Sequence, residues 1–206
     1  MGYASGHTAD RFQRALSIFR QHGGMMRTSE ALARGIHPTT LYALRDSGAL
    51  ARLSRGLYRL ADLPPLEEPR LTTACLRVPR AIICCRSALA FHGLLEREPP
   101  TVELALPRGH HHPQVETPPI SCHWFAGRAY RYGVETHTCG DAEIRVYSRP
   151  KTVADCLKLR GQIGTRVAVL ALRRYMGSED FDAAALLEAA RICRVERLVS
   201  LYAEVV

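Results

Sequence analysis

The order of elements predicted between residues 28 and 47 constrains the fold most. A short helix is followed by a three-residue turn that contains glycine and then by a second helix. Thr28 or Ser29 can cap the first of these helices, which runs to about residue 34. Gly35 lies in the turn that follows. Pro38 then begins the second helix, since proline is tolerated in a first helical turn. Helix, tight turn and helix are typical of a helix-turn-helix.

The flanking segments predict the rest of a winged helix-turn-helix. Phe12, Ala15, Leu16 and Phe19 are spaced at i, i+3, i+4 and i+7, which predicts an amphipathic helix that ends near residues 22–24. Downstream, two extended runs at 49–53 and 57–60 surround a turn that contains glycine, and they predict a β-hairpin. A hairpin directly after the second helix of the motif is a wing. Residues 1–63 are therefore predicted to form a winged helix-turn-helix domain.

The helix that begins at Pro38 is predicted to enter the major groove of DNA. Leu41 and Leu44 define its buried side, and at about 100° per residue Thr39, Ala43 and Asp46 point away from it, with Tyr42 beside them. Such short or polar groups suit contacts with base edges. Arg45 is expected at a phosphate, and Arg52 and Arg55 in the wing at the backbone or an adjacent minor groove. The predicted DNA-binding residues are Arg27, Thr28, Thr39, Thr40, Tyr42, Ala43, Arg45, Asp46, Arg52, Ser54 and Arg55.

The charge distribution agrees with a DNA-binding head. Residues 1–63 contain nine arginines and four acidic residues, a net charge of +5, whereas the whole chain has +8 and residues 64–206 therefore +3. Neutralisation of phosphates by basic side chains supplies most non-specific DNA affinity. Two other interpretations stay open for this domain: a small helical domain with solvated arginines, and a helix-turn-helix that docks a protein.

The proline-rich, acidic segment 62–69 is the predicted domain boundary. Beyond it we expect a helix at 70–78, a short strand at 81–85 and a helix from a Ser87 cap to residue 94. Further strands are expected at 102–106, 120–125, 134–137 and 144–147, and helices from residue 149 onward. Residues 64–206 are thus predicted to form a mixed α/β domain with a small sheet and a C-terminal helical bundle. The whole chain falls in the α+β class.

Several residues of this second domain suggest metal or acid–base chemistry, but their pattern predicts no such site. His110, His111 and His112 are adjacent and are expected in an exposed loop. Four candidate zinc ligands lie on two strands that we expect to be neighbours: Cys122, His123, His137 and Cys139. Consecutive strand residues face opposite sides of a sheet, so these four are not expected to converge. Asp155 has no nearby base or second carboxylate and is assigned a structural role.

No catalytic residue, metal site or cofactor is therefore predicted. The chain has no phosphate-binding glycine loop, no GxSxG motif and no nuclease-type acidic cluster. The seven cysteines are expected to be buried free thiols. No apolar run is long enough for a membrane span, and residues 1–7 show no signal-peptide pattern. We expect a cytoplasmic protein without a membrane partner.

Taken together, six stretches resemble the AbiEi family, the antitoxins of type IV toxin–antitoxin (abortive infection) systems. They occur in the family's order across about residues 10–204. They are GMMRTSEA at 24–31, LYAL at 41–44, LSRGLYR at 53–59, SALAFHGL at 87–94, VELALPRG at 102–109 and RPKTVADC at 149–156.

This resemblance implies an autorepressor that binds inverted repeats of a double-stranded DNA operator through its N-terminal winged helix. It also implies that the C-terminal domain counteracts a nucleotidyltransferase-like toxin, either by direct contact or through the toxin's target or modification. Two heads on one palindrome would bind cooperatively if the protein bodies or the bent DNA favour the second event.

Two alternatives to an antitoxin stay open at this point. One is a ligand-responsive winged-helix transcription factor without a toxin partner, in which the second domain is the sensor. The other is a nuclease that a DNA-binding head directs to its target.

Overall fold

A computed structural model describes residues 3–140 and 142–203; Met1 and Gly2, part of the segment inspected for a signal peptide, lie outside the described residues. It confirms the α+β class. The helices are α1 (Tyr3–Gln21), α2 (Thr28–Ala33), α3 (Pro38–Asp46), α4 (Pro69–Arg77), α5 (Cys85–Phe91), α6 (Gly127–Arg131), α7 (Arg149–Lys158), α8 (Arg160–Ile163), α9 (Thr165–Met176), α10 (Ala183–Cys193) and α11 (Glu196–Ala203). The strands are β1 (Met25–Arg27), β2 (Leu50–Ser54), β3 (Leu57–Leu60), β4 (Ile82–Ile83), β5 (Val102–Pro107), β6 (Ile120–Phe125), β7 (Val134–Cys139) and β8 (Ala142–Tyr147).

The chain divides into two compact units, Met1–Thr73 with Thr138–Ala142, and Ala74–His137 with Glu143–Val206. The division between them falls within α4, about ten residues after the expected boundary. In the described part of the chain, no helix is both long and apolar enough to cross a membrane.

The first unit contains α1, α2, α3 and a three-stranded sheet in the order β1-β3-β2. β2 and β3 form the predicted hairpin. β1 was not predicted; it pairs antiparallel with β3, with Met26 opposite Tyr58. The apolar faces of the helices and of this sheet share one core, which consists of Ala15, Phe19, Met26, Ala31, Ile36, Leu41, Leu44, Leu50, Tyr58 and Leu60.

The second unit contains a five-stranded sheet in the order β6-β5-β4-β8-β7. The helices α7 to α11 follow the last strand along the chain. β5 pairs antiparallel with β4 and parallel with β6. The order corrects one expectation: β6 and β7, which carry the four candidate zinc ligands, lie at opposite edges and are not neighbours. Cys122 and His123 therefore cannot share a site with His137 and Cys139.

Two other expectations for the second unit were wrong in detail. α5 begins at Cys85, with Cys84 as its N-cap, so Ser87 does not cap it. The Ser87 hydroxyl instead accepts a hydrogen bond from the Glu103 backbone N–H, at 2.9 Å. α6 was not predicted, since its five residues are too few to show a helical period.

Candidate nucleic-acid interface

α2 is fixed to the wing at its first residue. The backbone N–H of Thr28 donates to the Gly56 carbonyl in the wing turn, at 2.9 Å. Arg27 is the N-cap, and its backbone N–H donates to the Glu30 carboxylate at 2.8 Å. The expected cap at Thr28 or Ser29 was therefore one or two residues too late, and Thr28 is the first helical residue.

The turn between α2 and α3 depends on Gly35. Gly35 has φ +84°, a conformation that is disfavoured for residues with a Cβ atom. The next residue, Ile36, donates its backbone N–H to the Ala31 carbonyl at 3.0 Å and buries its side chain in the core of the first unit. These contacts fix the direction in which α3 leaves the turn.

His37 caps α3 and also holds Thr39, a role that was not predicted from the sequence. Its Nδ1 atom accepts from the Thr39 backbone N–H at 3.3 Å and lies 2.8 Å from the Thr39 hydroxyl. When that hydroxyl donates to Nδ1, its oxygen lone pairs remain for an external donor. The position of His37 immediately before Pro38 was the available sequence signal.

The exposed face of α3 matches the predicted groove-facing side. Thr39, Tyr42 and Asp46 are exposed and Ala43 is half-buried, so Thr39 and Ala43 are not packed into the interior. Thr40 differs from expectation, because it is only 7% exposed and packs with the buried residues of α3. Thr40 therefore does not belong to the proposed contact surface.

Arg45 is held in place by its neighbours on α3. Its Nε donates to the Asp46 carboxylate at 2.7 Å, and its Cζ lies 5.2 Å from the centroid of the Tyr42 ring. The hydrogen bond to Asp46 raises the pKa of Arg45. The Arg45 guanidinium is thus paired with a carboxylate, and its expected phosphate contact stays a prediction.

The wing presents arginines at its tip and buries its serine. Arg52 and Arg55 are exposed, and the Arg52 Nε donates to the Ser54 carbonyl at 3.3 Å. The register of β2 against β3 shifts between Arg52 and Ser54, which leaves Leu53 as the extra residue of a bulge. Ser54 is 8% exposed and its hydroxyl makes no hydrogen bond, so this side chain also lies outside the proposed surface.

Arg59 has a structural role in spite of its charge. It is 7% exposed, and its guanidinium donates to the backbone carbonyls of Leu63 and Pro64. It therefore ties the segment after β3 to the hairpin. A count of the arginines in this domain therefore overstates its exposed basic surface by at least one residue, Arg59.

Asp155 has the structural environment that its sequence context suggested. It is fully buried, receives a hydrogen bond from the buried Lys151 ammonium, and accepts another from the Cys193 thiol at 3.1 Å. Burial raises the pKa of Asp155 to about 6. His111 and His112 lie in an exposed loop, as expected.

Comparison with known proteins agrees with the winged-helix interpretation. Residues 13–61, about a quarter of the chain, match the model of a family described as "Transcriptional regulator, AbiEi antitoxin". This match confirms the expected resemblance to the AbiEi antitoxins over the segment that contains α2, α3 and the wing.

A crystal structure of the RV2827C protein from Mycobacterium tuberculosis is similar to this chain, with a TM-score of 0.55 and 13% sequence identity. The similarity covers 94% of this chain and 80% of that chain. At this identity the likeness shows a shared fold alone. A comparison with curated proteins gives no match.

Proposed function

We propose that this chain is an antitoxin and transcriptional autorepressor that binds inverted repeats in its own operator and counteracts a nucleotidyltransferase-like toxin. One observation carries the DNA-binding half of the proposal. The face of α3 that bears Thr39, Tyr42 and Asp46 is exposed, in a segment that matches AbiEi transcriptional regulators. The exposed Arg52 and Arg55 of the wing supply basic groups beyond α3.

In this proposal α3 lies in the major groove and the wing contacts the backbone or the adjacent minor groove. Thr39, Tyr42, Ala43 and Asp46 would face base edges, where one good contact discriminates by about 1–3 kcal/mol. Wing arginines and Arg27 would contact phosphates, which position the protein without reading sequence. Repression then requires only that the occupied operator exclude RNA polymerase. We expect the protein to act in the cytoplasm, where the operator is.

The test is a titration of the full chain against a labelled duplex from its own promoter and against a shuffled duplex of equal length, over a range of salt concentrations. We expect a preference for the promoter duplex of about 10³-fold or more. We also expect log K to fall linearly with log salt, by about 0.9 for each phosphate contact. A preference near one would contradict sequence-specific binding. The same mixture with magnesium or manganese tests the nuclease alternative, which requires the duplex to be cut.

The antitoxin half is tested by co-expression with a nucleotidyltransferase-like toxin, which the proposal expects to be encoded beside this gene. We expect the full chain to restore growth that the toxin arrests. Co-purification of the two proteins would then indicate direct contact, whereas rescue without co-purification would indicate action through the toxin's target or modification. Growth arrest that the chain does not relieve would contradict the antitoxin assignment.

A cavity in the second unit favours the ligand-responsive alternative. It has a volume of about 660 Å³, within the usual range for small-molecule sites, and Arg108, Lys158 and Arg194 are among the residues that line it. A sensor would change its operator affinity when an anionic ligand binds there. A gene without a neighbouring nucleotidyltransferase, together with such a ligand effect, would favour the sensor over the antitoxin.

A further inference from the structure

The register of the second sheet places His123 and Cys84 on the same face. Ala105 of β5 lies opposite Ile82 of β4 on one side and opposite His123 of β6 on the other. Cys84 is two residues beyond Ile82 and therefore shares its face. Because Ala105 has only a methyl group, the space above β5 is open for the His123 ring to extend toward β4.

Cys85 adds a second thiol at the same place. The Sγ atoms of Cys84 and Cys85 and a ring nitrogen of His123 all lie within 4.8 Å of one another. Both cysteines are fully buried. Cys85 has φ +49°, a left-handed conformation that is disfavoured for a residue with a Cβ atom. Unusual backbone of this kind is concentrated at functional sites.

His123 is weakly satisfied in the interior. Its Nε2 atom is buried and has no partner at ordinary hydrogen-bond geometry, and the ring interacts with the Cys85 thiol. Buried polar side-chain atoms are nearly always paired, and a thiol is a weak hydrogen-bonding partner that a metal ion would replace. A fourth potential donor is close, since the fully buried Cys156 of α7 interacts with the Cys85 thiol, but its sulfur lies outside the three-atom cluster.

Glu103, a carboxylate beside the cluster, is already used and would not compete as a ligand. Glu103 is fully buried and accepts hydrogen bonds from the Arg86 backbone N–H at 2.6 Å and from the Arg86 Nε at 2.8 Å. This ion pair holds the start of α5 against β5. The donors left for an external group are therefore sulfur and imidazole nitrogen.

We propose that Cys84, Cys85 and His123 bind a thiophilic metal ion, zinc in the first place, with Cys156 as the fourth ligand. Sulfur and imidazole donors select zinc over magnesium or calcium, which prefer oxygen. Zn–S bonds of about 2.3 Å and Zn–N bonds of about 2.0 Å in a tetrahedron separate the donors by roughly 3.5–3.8 Å. The three side chains must move inward to reach this geometry, and Cys156, whose sulfur lies outside the cluster, must move as well. Each ligating thiol releases a proton when the ion binds.

This ion would link β6 to the start of α5 across β5, and to α7 through Cys156. It would give the buried His123 nitrogen a bonding partner. The free energy of metal binding would also offset the cost of the left-handed backbone conformation at Cys85. The site lies in the second unit and does not depend on the proposed DNA contacts. The metal-site proposal can therefore be wrong while the proposed function is right, and the proposed function can be wrong while the metal-site proposal is right.

The test is reconstitution of the full chain, purified under reducing conditions and stripped with a chelator, with zinc or cobalt(II) alone. We expect one ion per chain, and for cobalt an intense near-ultraviolet band from thiolate-to-metal charge transfer together with the visible bands of a tetrahedral ion. The charge-transfer band in the unmodified protein reports sulfur ligation directly, so the result does not depend on any variant folding.

Variants then locate the site. We expect Cys85→Ser and His123→Ala to weaken cobalt binding by more than about tenfold, the loss that removal of even an outer partner causes. Cys122→Ser is the matched control, because Cys122 is next to His123 on β6 but faces the other side of the sheet. Folded wild-type protein that shows no charge-transfer band would overturn the proposal, as would Cys85→Ser protein that keeps the wild-type band.

Discussion

Tyr42 and Thr39 are the side chains of α3 that we expect to determine base preference. Both are exposed, and Thr39 is oriented by its contact with His37. Replacing either with alanine should lower affinity for the promoter duplex by about 1–3 kcal/mol and leave binding to shuffled DNA nearly unchanged.

Arg55→Ala should instead weaken binding to both duplexes and flatten the salt slope. Arg97→Ala, an equal loss of charge on the exposed surface of the second unit, is the control.

This comparison is made with the duplex titration described above, and circular dichroism checks that each variant is folded. A Tyr42→Ala variant that weakens binding to both duplexes equally, as Arg55→Ala is expected to do, would contradict the separation of base contacts from phosphate contacts. Variants that merely unfold would show that the assigned face of α3 is structural.

Asp46 limits the charge that α3 offers to DNA, because its carboxylate pairs with the Arg45 guanidinium. Asp46→Asn should release Arg45 for a phosphate. Non-specific affinity should rise and the salt slope should steepen by about 0.9 for the added contact. Asp62→Asn removes the same charge from an exposed pair that joins Arg20 of α1 to the segment after β3, and should have a smaller effect. Equal effects of the two substitutions would mean that only net charge matters.

His92 is expected to make the second unit less stable in mild acid. Its Nε2–H donates to the Tyr147 carbonyl, with the two atoms 2.7 Å apart, and burial lowers the pKa of His92. The folded state therefore favours the neutral ring, whereas the unfolded chain gains a proton near pH 6.5. The stability from this preference is present above about pH 6.5 and is lost as pH falls through the lowered folded pKa.

Urea unfolding of the wild type and of His92→Gln, measured at about pH 7.5 and pH 5.5, isolates this contribution. Glutamine can donate the same hydrogen bond but does not titrate in this range. We expect the free energy of unfolding of the variant to fall less between the two pH values. A steeper fall for His92→Gln than for wild type would reverse the assigned sign.

At the scale of elements, α7 contributes a buried ion pair to the second unit. Lys151 and Asp155 are both fully buried, and the Lys151 ammonium also lies 4.1 Å from the centroid of the Tyr147 ring. Lys151→Met should lower the free energy of unfolding by about 3–5 kcal/mol, because it leaves a buried carboxylate without its partner. Adding Asp155→Asn should recover part of this loss. A double variant no more stable than Lys151→Met would show that the charge is not the cause.

The elements that the sequence predicted correctly are those with a strong local pattern. α3 begins at Pro38 as expected, and the hairpin around Gly56 forms where the turn residues placed it. β1 was missed because three residues carry no period. The error at Thr40 was avoidable, since Thr40 precedes Leu44 by four residues and so shares its buried face.

Contacts between segments that are far apart in the sequence could not be predicted from local patterns. Strand order is not encoded in the alternation of single strands, so β6 and β7 were wrongly taken as neighbours. The cluster of Cys84, Cys85 and His123 arises from pairing across β5 and from one left-handed residue, and neither has a local sequence pattern. The burial of Ser54 follows from a bulge, which alternation alone does not predict.

For the whole molecule, the division into two units suggests that repression and antitoxin action can be separated. The predicted DNA contacts all lie in the first unit, and the proposed function assigns toxin neutralisation to the second. A chain with both Tyr42→Ala and Arg55→Ala should lose repression of a reporter under its own promoter. It should still restore growth to cells that express the toxin, because the second unit is unchanged.

Lys151→Met gives the opposite comparison, since it weakens the second unit at a site far along the sequence from α3. At a temperature where that unit is unfolded in the variant, toxin arrest should return. Repression should fall less, because the first unit carries the predicted DNA contacts. The fall that remains would measure how much the second unit contributes to binding at the operator. Expression level, measured by immunoblot, separates loss of function from degradation. If each chain lost both activities together, the two functions would share one unit, and the assignment of antitoxin action to the second would be wrong.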